Sequence, residues 1–312
     1  MRQAVPQPTL WIIAGPTGCG KSQLAVELAE ALGAEVVGAD SQQVYRHFDI
    51  GTAKPSAALL SRVPHHLVSC LHPMEECTAA RYAALADEAI ADIHSRGKPA
   101  VVAGGTGLYL RALLYGLAAL PPVDMSLRAR LEAWAKEAGA KALHQRLCEV
   151  DSDAAARLPK GDCMRVMRAL EIFEQTGRPA SEHWREHRFQ EARYSFRYFV
   201  LSPERAQLYE AINRRTERIF EEGLLAEVEA LLKMGFRKAP AMKSVGYREA
   251  LEVVDGKLSE AKARVLVAQH TRHYAKRQLT WFRKEKSAHW LSFPVSAEQL
   301  LQHPLNGLFV LS

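Results

Sequence analysis

An apolar run, Leu10 to Ala14, passes directly into Gly15-Pro16-Thr17-Gly18-Cys19-Gly20-Lys21-Ser22, an octapeptide that fits G-x-x-x-x-G-K-[ST]. Leu24, Leu28 and Leu32 follow at four-residue spacing and Gly33 supplies a stop, so the stretch predicts strand, glycine loop and helix in that order. In such a loop the glycines turn backbone N–H groups into a concavity, the helix N-terminus adds positive potential, and Lys21 adds a full charge. The ligand suited to that chemistry is a di- or triphosphate. The Ser22 hydroxyl is the expected protein ligand for a Mg2+ ion bridging two phosphate oxygens.

A chain of 312 residues, 48% of them hydrophobic, can form one large domain or two modest ones. Cys19, Cys70, Cys77, Cys148 and Cys163 are odd in number and contain no C-x-x-C pair. They suit neither a disulfide framework nor a zinc site, and a reducing cytoplasm is expected. No run approaches the roughly 20 apolar residues of a membrane helix and the first ten residues lack a signal-peptide core, so no membrane association is expected. The net charge of +6 permits a polyanionic partner without demanding one.

Beyond the first helix, Glu35 to Ala39 reads as a second strand with Asp40 at its carboxyl end, where ligands bind in open α/β sheets. Asp40 to Pro55 is polar and reads as a loop rather than a core element, a candidate for substrate contacts. His65 and His66 enter a third strand; adjacent residues there point to opposite faces, which disfavours a metal pair. Ala100 to Ala103 form a further strand leading into Gly104-Gly105-Thr106-Gly107, with no Asp of the kind an ATP-hydrolysing machine carries. From Ser126 to about His187 the pattern is helical, with Leu127, Leu131, Trp134 and Ala138 on one face and Arg165 and Arg168 sharing another. Tyr194 to Leu201 returns as a strand. A helix with Arg214, Arg215 and Arg218 follows, and Ala261 to Lys286 forms a long helix whose cations and aromatics suit a phosphate-backbone track. The expected fold is therefore α/β: a P-loop NTPase-like parallel sheet core flanked by helices, with an all-helical insertion. The boundaries are residues 1–120, 121–193 and 194–312.

GPTGCGKS, DSQQVYRHFDIGTAKP, PHHLVS, AGGTGLYLRALL, RVMRALEIFEQTG, SVGYREAL and TRHYAKRQLTWFR together resemble the bacterial tRNA dimethylallyltransferases, also called tRNA isopentenyltransferases, from about Leu10 to Trp290. The resemblance implies transfer of the dimethylallyl group of dimethylallyl diphosphate to N6 of the adenosine 3′ of the tRNA anticodon. Asp40 matches the family's general base, while Thr17 and Arg215 match residues at the diphosphate; Arg214 and Arg218 remain open alternatives to Arg215. The loop Gly15, Pro16, Thr17, Gly18, Cys19, Gly20, Lys21 and Ser22 would hold the leaving group, with Mg2+ on Ser22.

For the tRNA anticodon stem-loop the same resemblance implies Asp40, Ser41, Gln42, Gln43 and Thr106 around a flipped adenosine. It adds Arg128, Met164, Arg165, Val166, Met167 and Arg168 on the insertion, and Lys243, Gly246, Tyr247, Arg248, Arg272, Lys276, Arg277 and Arg283 in the last part of the chain. A monomer is expected. Two departures stand out: Gly18-Cys19 where family members often carry Ala-Ser, which exposes the loop to thiol reagents, and Met164 in place of Gln, which removes an amide contact to RNA. A small-molecule or nucleoside kinase, sharing the phosphate loop and an Asp near the acceptor, is the alternative.

Overall fold

The computed structural model describes residues 9–187 and 191–304. Gly116–Glu191 forms one compact unit and the rest of the chain the other. The larger unit opens with β1 (Leu10–Ala14), α1 (Lys21–Leu32), β2 (Glu35–Gly38), α2 (Ala57–Leu60), β3 (His65–His66), α3 (Ala79–Ser95), β4 (Ala100–Gly104) and α4 (Gly107–Tyr115). The smaller unit contributes α5 (Met125–Val150), α6 (Ser152–Arg157), α7 (Cys163–Thr176) and α8 (Ala180–His187). The larger one resumes with β5 (Phe196–Leu201), α9 (Arg205–Glu221), α10 (Leu224–Lys233), α11 (Tyr247–Val254), α12 (Glu260–Phe282), β6 (Ala288–Leu291) and α13 (Ala297–Gln302).

The sheet runs in the order β3-β2-β4-β1-β5-β6, and every pairing is parallel. Ile12 of β1 sits opposite Val102 of β4 on one side and Tyr198 of β5 on the other. Helices cover both faces, which is why the central strands are apolar throughout instead of alternating. On one face Leu10, Ile12 and Val102 pack with Tyr82, Ile90 and Ile93 of α3 and Leu110 of α4; on the other Ile13, Val101 and Phe199 pack with Leu24 and Leu28 of α1 and Ile212 of α9. α1 ends at Gly33 in the left-handed conformation (φ 62°), whose N–H reaches the carbonyls of Ala29 and Glu30, and Thr78 caps α3 by accepting from the Arg81 N–H. No helix among the described residues is long and apolar enough to cross a membrane.

Three departures from the sequence reading have physical causes. The Asp40–Pro55 segment is a loop with its own core: Val44, Tyr45 and Phe48 are buried with Leu224, Val228, Tyr247 and Val267. The long basic helix stops at Phe282, short of Lys286, and Ala288–Leu291 then adds a sixth strand beside β5. That strand is only four residues long with no fully buried residue, and it pairs along the edge of β5. In the smaller unit, Leu127, Leu131, Leu143 and Leu147 of α5 pack with Val166, Met167 and Leu170 of α7, while Ala138 is exposed. The next residue, Gly139 (φ 83°, ψ 165°), breaks the helical phase on which the predicted face relied.

Candidate active site

The order β2-β4-β1 brings three strand-end segments side by side: the Asp40 turn, the Gly104–Gly107 loop and the Gly15–Ser22 loop. A cavity of about 920 Å³ opens there, lined by Thr17, Lys21, Ser22, Asp40–Gln43, Gly51–Ala53, Gly104 and Gly105, and closed by side chains of α9, Lys243–Arg248 and α12. Lys21, Arg214, Arg215, Arg218, Lys243, Arg248 and Arg277 line it, against Asp40 as the one lining carboxylate among the described residues. Such a surplus of cations recruits a polyanion.

In the glycine loop, Gly20 adopts φ 80°, which strains any other residue, and a Cβ there would lie 2.8 Å from the Phe293 ring and have to displace it. The Lys21 ammonium folds back to donate to the Pro16 carbonyl at 2.6 Å, and Ser22 is exposed. Cys19 is 1% exposed and packs in the core beneath the loop. The expected sensitivity to thiol reagents is thereby corrected: a thiol enclosed in this way is a small core hydrophobe.

Asp40 is held as a turn. Its Oδ1 accepts from the N–H groups of Gln42 (2.8 Å) and Gln43 (3.3 Å), and the Ser41 N–H donates to Thr106 Oγ1 at 3.0 Å. The approach of the Gly104 loop is so close that a Cβ at Gly104 would come within 2.0 Å of the Ala39 oxygen. Gln42 donates to Ser41 Oγ, and its Oε1 is buried with no hydrogen-bond partner among the described residues. Gln43 turns away to donate to the carbonyls of Thr52 (3.3 Å) and Ala53 (3.2 Å), so its amide braces the loop.

The three arginines of α9 separate by partner. Arg214 pairs with Glu210 and Arg218 with Glu222, both at exposed positions, whereas Arg215 donates from Nη2 to the Thr52 carbonyl at 3.0 Å. Burial pulls the Arg215 guanidinium down from its ordinary pKa and the nearby Asp40 charge opposes that shift, so the two groups share one electrostatic environment.

The loop that receives Arg215 is itself pinned. Glu227 accepts from the N–H groups of Asp49 (3.0 Å) and Ile50 (2.6 Å), the Gly51 N–H donates to the Tyr247 hydroxyl at 3.2 Å, and that hydroxyl donates to Glu227. Burial raises the pKa of Glu227. A Cβ on Gly51 would sit 2.5 Å from the Tyr247 ring.

The sites expected for tRNA fall into groups. Lys276, Arg277 and Arg283 are exposed and have no carboxylate partner among the described residues; Arg277 lies over the Tyr274 ring, 5.6 Å from its centre. Arg272 donates to Asn213 at 2.7 Å, Lys243 and Arg248 line the cavity, and Arg248 also bonds Glu249. In the smaller unit Met164 is 60% exposed, and Arg165, though paired with Asp162, remains at the surface. Corrections concern the buried positions. Tyr247 is 0%, Val166 1% and Met167 4% exposed, so these three side chains pack the core instead of offering a contact surface, and the backbone of Gly246 is buried as well. Arg128 and Arg168 both pair with the wholly buried Glu171, and Arg168 also donates to the Pro121 carbonyl at 2.7 Å. A buried carboxylate needs such partners: Arg128 thereby ties α5 to α7, while Arg168 ties α7 to the segment that precedes α5.

Two site residues escaped the sequence reading. Tyr274 is hydrogen-bonded to Thr106, and burial together with the Asp40 charge raises its pKa. Gln278 accepts from the Thr17 N–H at 2.9 Å and donates to the Gly105 carbonyl at 2.8 Å. They lie four apart on α12, one helical turn, and that spacing is the signal that was available. No cluster of three or more His, Cys, Asp or Glu that could hold a metal occurs among the described residues; His65 bonds the Val63 carbonyl and His66 bonds Glu35, both at 2.8 Å.

A family model described as IPP transferase matches residues 43–285, and another described as isopentenyl transferase matches residues 8–68. The tRNA dimethylallyltransferase of Myxococcus xanthus is 53% identical over 93% of this chain and 94% of its own. Among solved structures, the full-length tRNA isopentenylpyrophosphate transferase from Bacillus halodurans is 38% identical, with a TM-score of 0.67 over 91% of this chain and 89% of its own. A eukaryotic dimethylallyltransferase acting on tRNA superposes with a TM-score of 0.78 at 27% identity, over 95% of this chain and 75% of its own.

Proposed function

The chain belongs to the tRNA dimethylallyltransferase family, and from that membership we propose how its cavity carries dimethylallyl from dimethylallyl diphosphate to N6 of the adenosine 3′ of the anticodon. The observation that supports this reading is one cavity whose lining brings together the glycine loop, the carboxylate of Asp40 and seven Lys and Arg side chains. The loop N–H groups, Lys21 and the N-terminus of α1 receive the diphosphate. The exocyclic nitrogen of adenine is a poor nucleophile because its lone pair is delocalised into the ring. Asp40, oriented by the Gln42 N–H, accepts the N6 proton as the N6–carbon bond forms and the allylic carbon–oxygen bond breaks. Negative charge grows on the departing diphosphate, where Lys21, Arg215 and the Thr17 hydroxyl take it up.

The Ser22 hydroxyl, exposed at the cavity, is an oxygen donor of the kind Mg2+ accepts, and the remaining ligands would be diphosphate oxygens and water, the usual composition of a magnesium–phosphate site. The chemistry such an ion supplies when bound is neutralisation of charge on the leaving group. The exposed Lys276, Arg277 and Arg283, with Met164 and Arg165 of the smaller unit, are the side chains we assign to the anticodon stem-loop. Five free cysteines suit the cytoplasm.

Product analysis tests the reading. The protein is incubated with Mg2+, unmodified tRNA and either dimethylallyl diphosphate or ATP, and the digested nucleosides are weighed by mass spectrometry. Prenylated adenosine with the prenyl donor alone is the expected result. Consumption of ATP against a small acceptor, with no prenylated nucleoside, would return the site to the kinases.

A further inference from the structure

Gln278 is 6% exposed and spends both ends of its amide on backbone. Oε1 accepts from the Thr17 N–H at 2.9 Å, 261 residues earlier in the chain, and Nε2 donates to the Gly105 carbonyl at 2.8 Å, 173 residues earlier. The bridge continues past Gly105. The Thr106 N–H donates to the Ala39 carbonyl at 3.2 Å, and Thr106 Oγ1 accepts from the Ser41 N–H at 3.0 Å. One buried side chain thus joins the loop that faces the diphosphate to the turn that carries Asp40. Fit is close on the Gly105 side, where a Cβ would come within 2.2 Å of the Gln278 nitrogen.

The bridge demands an amide. It must accept at one end and donate at the other, which a carboxylate cannot do and a thioether cannot do at all. It also withdraws the Thr17 N–H from the donors open to a phosphate and pins the loop backbone at that residue.

We infer that Gln278 is a positioning residue for the transfer reaction: it sets the separation between the diphosphate loop and Asp40, and hence the alignment of leaving group, allylic carbon and N6. This rests on the reaction proposed above. Displacement at carbon tolerates little misplacement, since an error of about 1 Å costs on the order of a hundredfold in rate.

The test compares wild type, Gln278→Met and Gln278→Glu in single-turnover prenyl transfer, with tRNA affinity and the KM for dimethylallyl diphosphate measured alongside. Wild type forming no prenylated adenosine refutes the reaction itself, and is thereby distinguished from failure of the inference. With wild type active, Gln278→Met is expected to lose about ten- to a hundredfold in turnover, with tRNA affinity and KM within about threefold. In Gln278→Glu the introduced carboxylate repels the Gly105 carbonyl, but its protonated form restores the donor. Its activity relative to wild type should therefore rise as pH falls, a rescue that a packing role cannot produce. The inference is overturned by Gln278→Met at wild-type turnover, by a loss confined to tRNA affinity, or by a Gln278→Glu ratio that stays flat with pH. Should Gln278→Met fail to fold, the near-isosteric Gln278→Glu decides.

Discussion

The Arg215 guanidinium donates to the carbonyl oxygen of Thr52 at 3.0 Å, 163 residues away in sequence. Its neighbours Arg214 and Arg218 pair instead with Glu210 of the same helix and with Glu222 just past its end. Arg215→Ala is accordingly expected to lower prenyl-transfer turnover by about a hundred- to a thousandfold, the cost of losing one donor to developing anionic charge. Arg214→Ala and Arg218→Ala should stay within about threefold of wild type on that scale. Single-turnover rates for the three variants check this, and equal losses at all three would show that the α9 cations act only as a diffuse field.

Asp40→Asn keeps the shape and the Oδ1 acceptor that Gln42 and Gln43 use while removing the base. Turnover should fall by about two to four orders of magnitude with tRNA affinity unchanged, because general-base help is worth about that much. Wild-type turnover in this variant would remove Asp40 from the proton transfer.

Tyr247→Phe deletes the hydroxyl shared by Glu227 and the Gly51 N–H, yet leaves the ring buried. We expect a loss of about 1–3 kcal/mol in stability from the unpaired groups, together with slower turnover as the Thr52 carbonyl loses its hold on Arg215. Affinity for tRNA should not change, since the side chain is inside the protein. Urea unfolding and tRNA binding measured together decide; weakened binding at unchanged stability would restore Tyr247 to the RNA surface.

Glu35 is 2% exposed and sits among Arg96, His66 and Lys98. The hydrogen bond from Arg96 leads in lowering its pKa well below the ordinary glutamate value, outweighing the opposing effect of burial. A depressed acid stabilises the fold above its unfolded pKa, about 4.3. That contribution is lost progressively as pH falls from there towards the lower folded value. Glu35→Gln should therefore lower stability at about pH 7 and flatten its decline between about pH 5 and pH 2, as followed by denaturant unfolding across that range. An unchanged acid limb would assign the pH dependence to other carboxylates.

Strand, glycine loop and helix from Leu10 to Leu32 were legible in the sequence, as were Asp40 at a strand end and the helical character of residues 126–187. Each of these is a local property. Apolar runs, spacing of leucines and glycines at turns act over a few residues, and a loop that must present its N–H groups tolerates few alternatives. The burial of the Val166, Met167 and Tyr247 side chains was not legible, because it is set by elements far away in sequence. Cys19, in the loop itself, was misjudged for the same reason.

By itself, then, the amino-acid sequence determined a glycine loop suited to a phosphate-type anion at the end of one parallel strand and a carboxylate at the end of another. Only the tertiary structure decided which groups complete the site. Neighbours on a helix point about 100° apart, so Arg214 and Arg215 are equivalent in the sequence and differ only in what packs opposite them. Gln278 and Glu227 act on backbone groups 173 to 261 and 177 to 178 residues away, and no local pattern encodes a partner at that distance. The choice is made when the sheet order brings β4 between β1 and β2 and the hydrogen-bonding groups of those loops must find partners as they are buried.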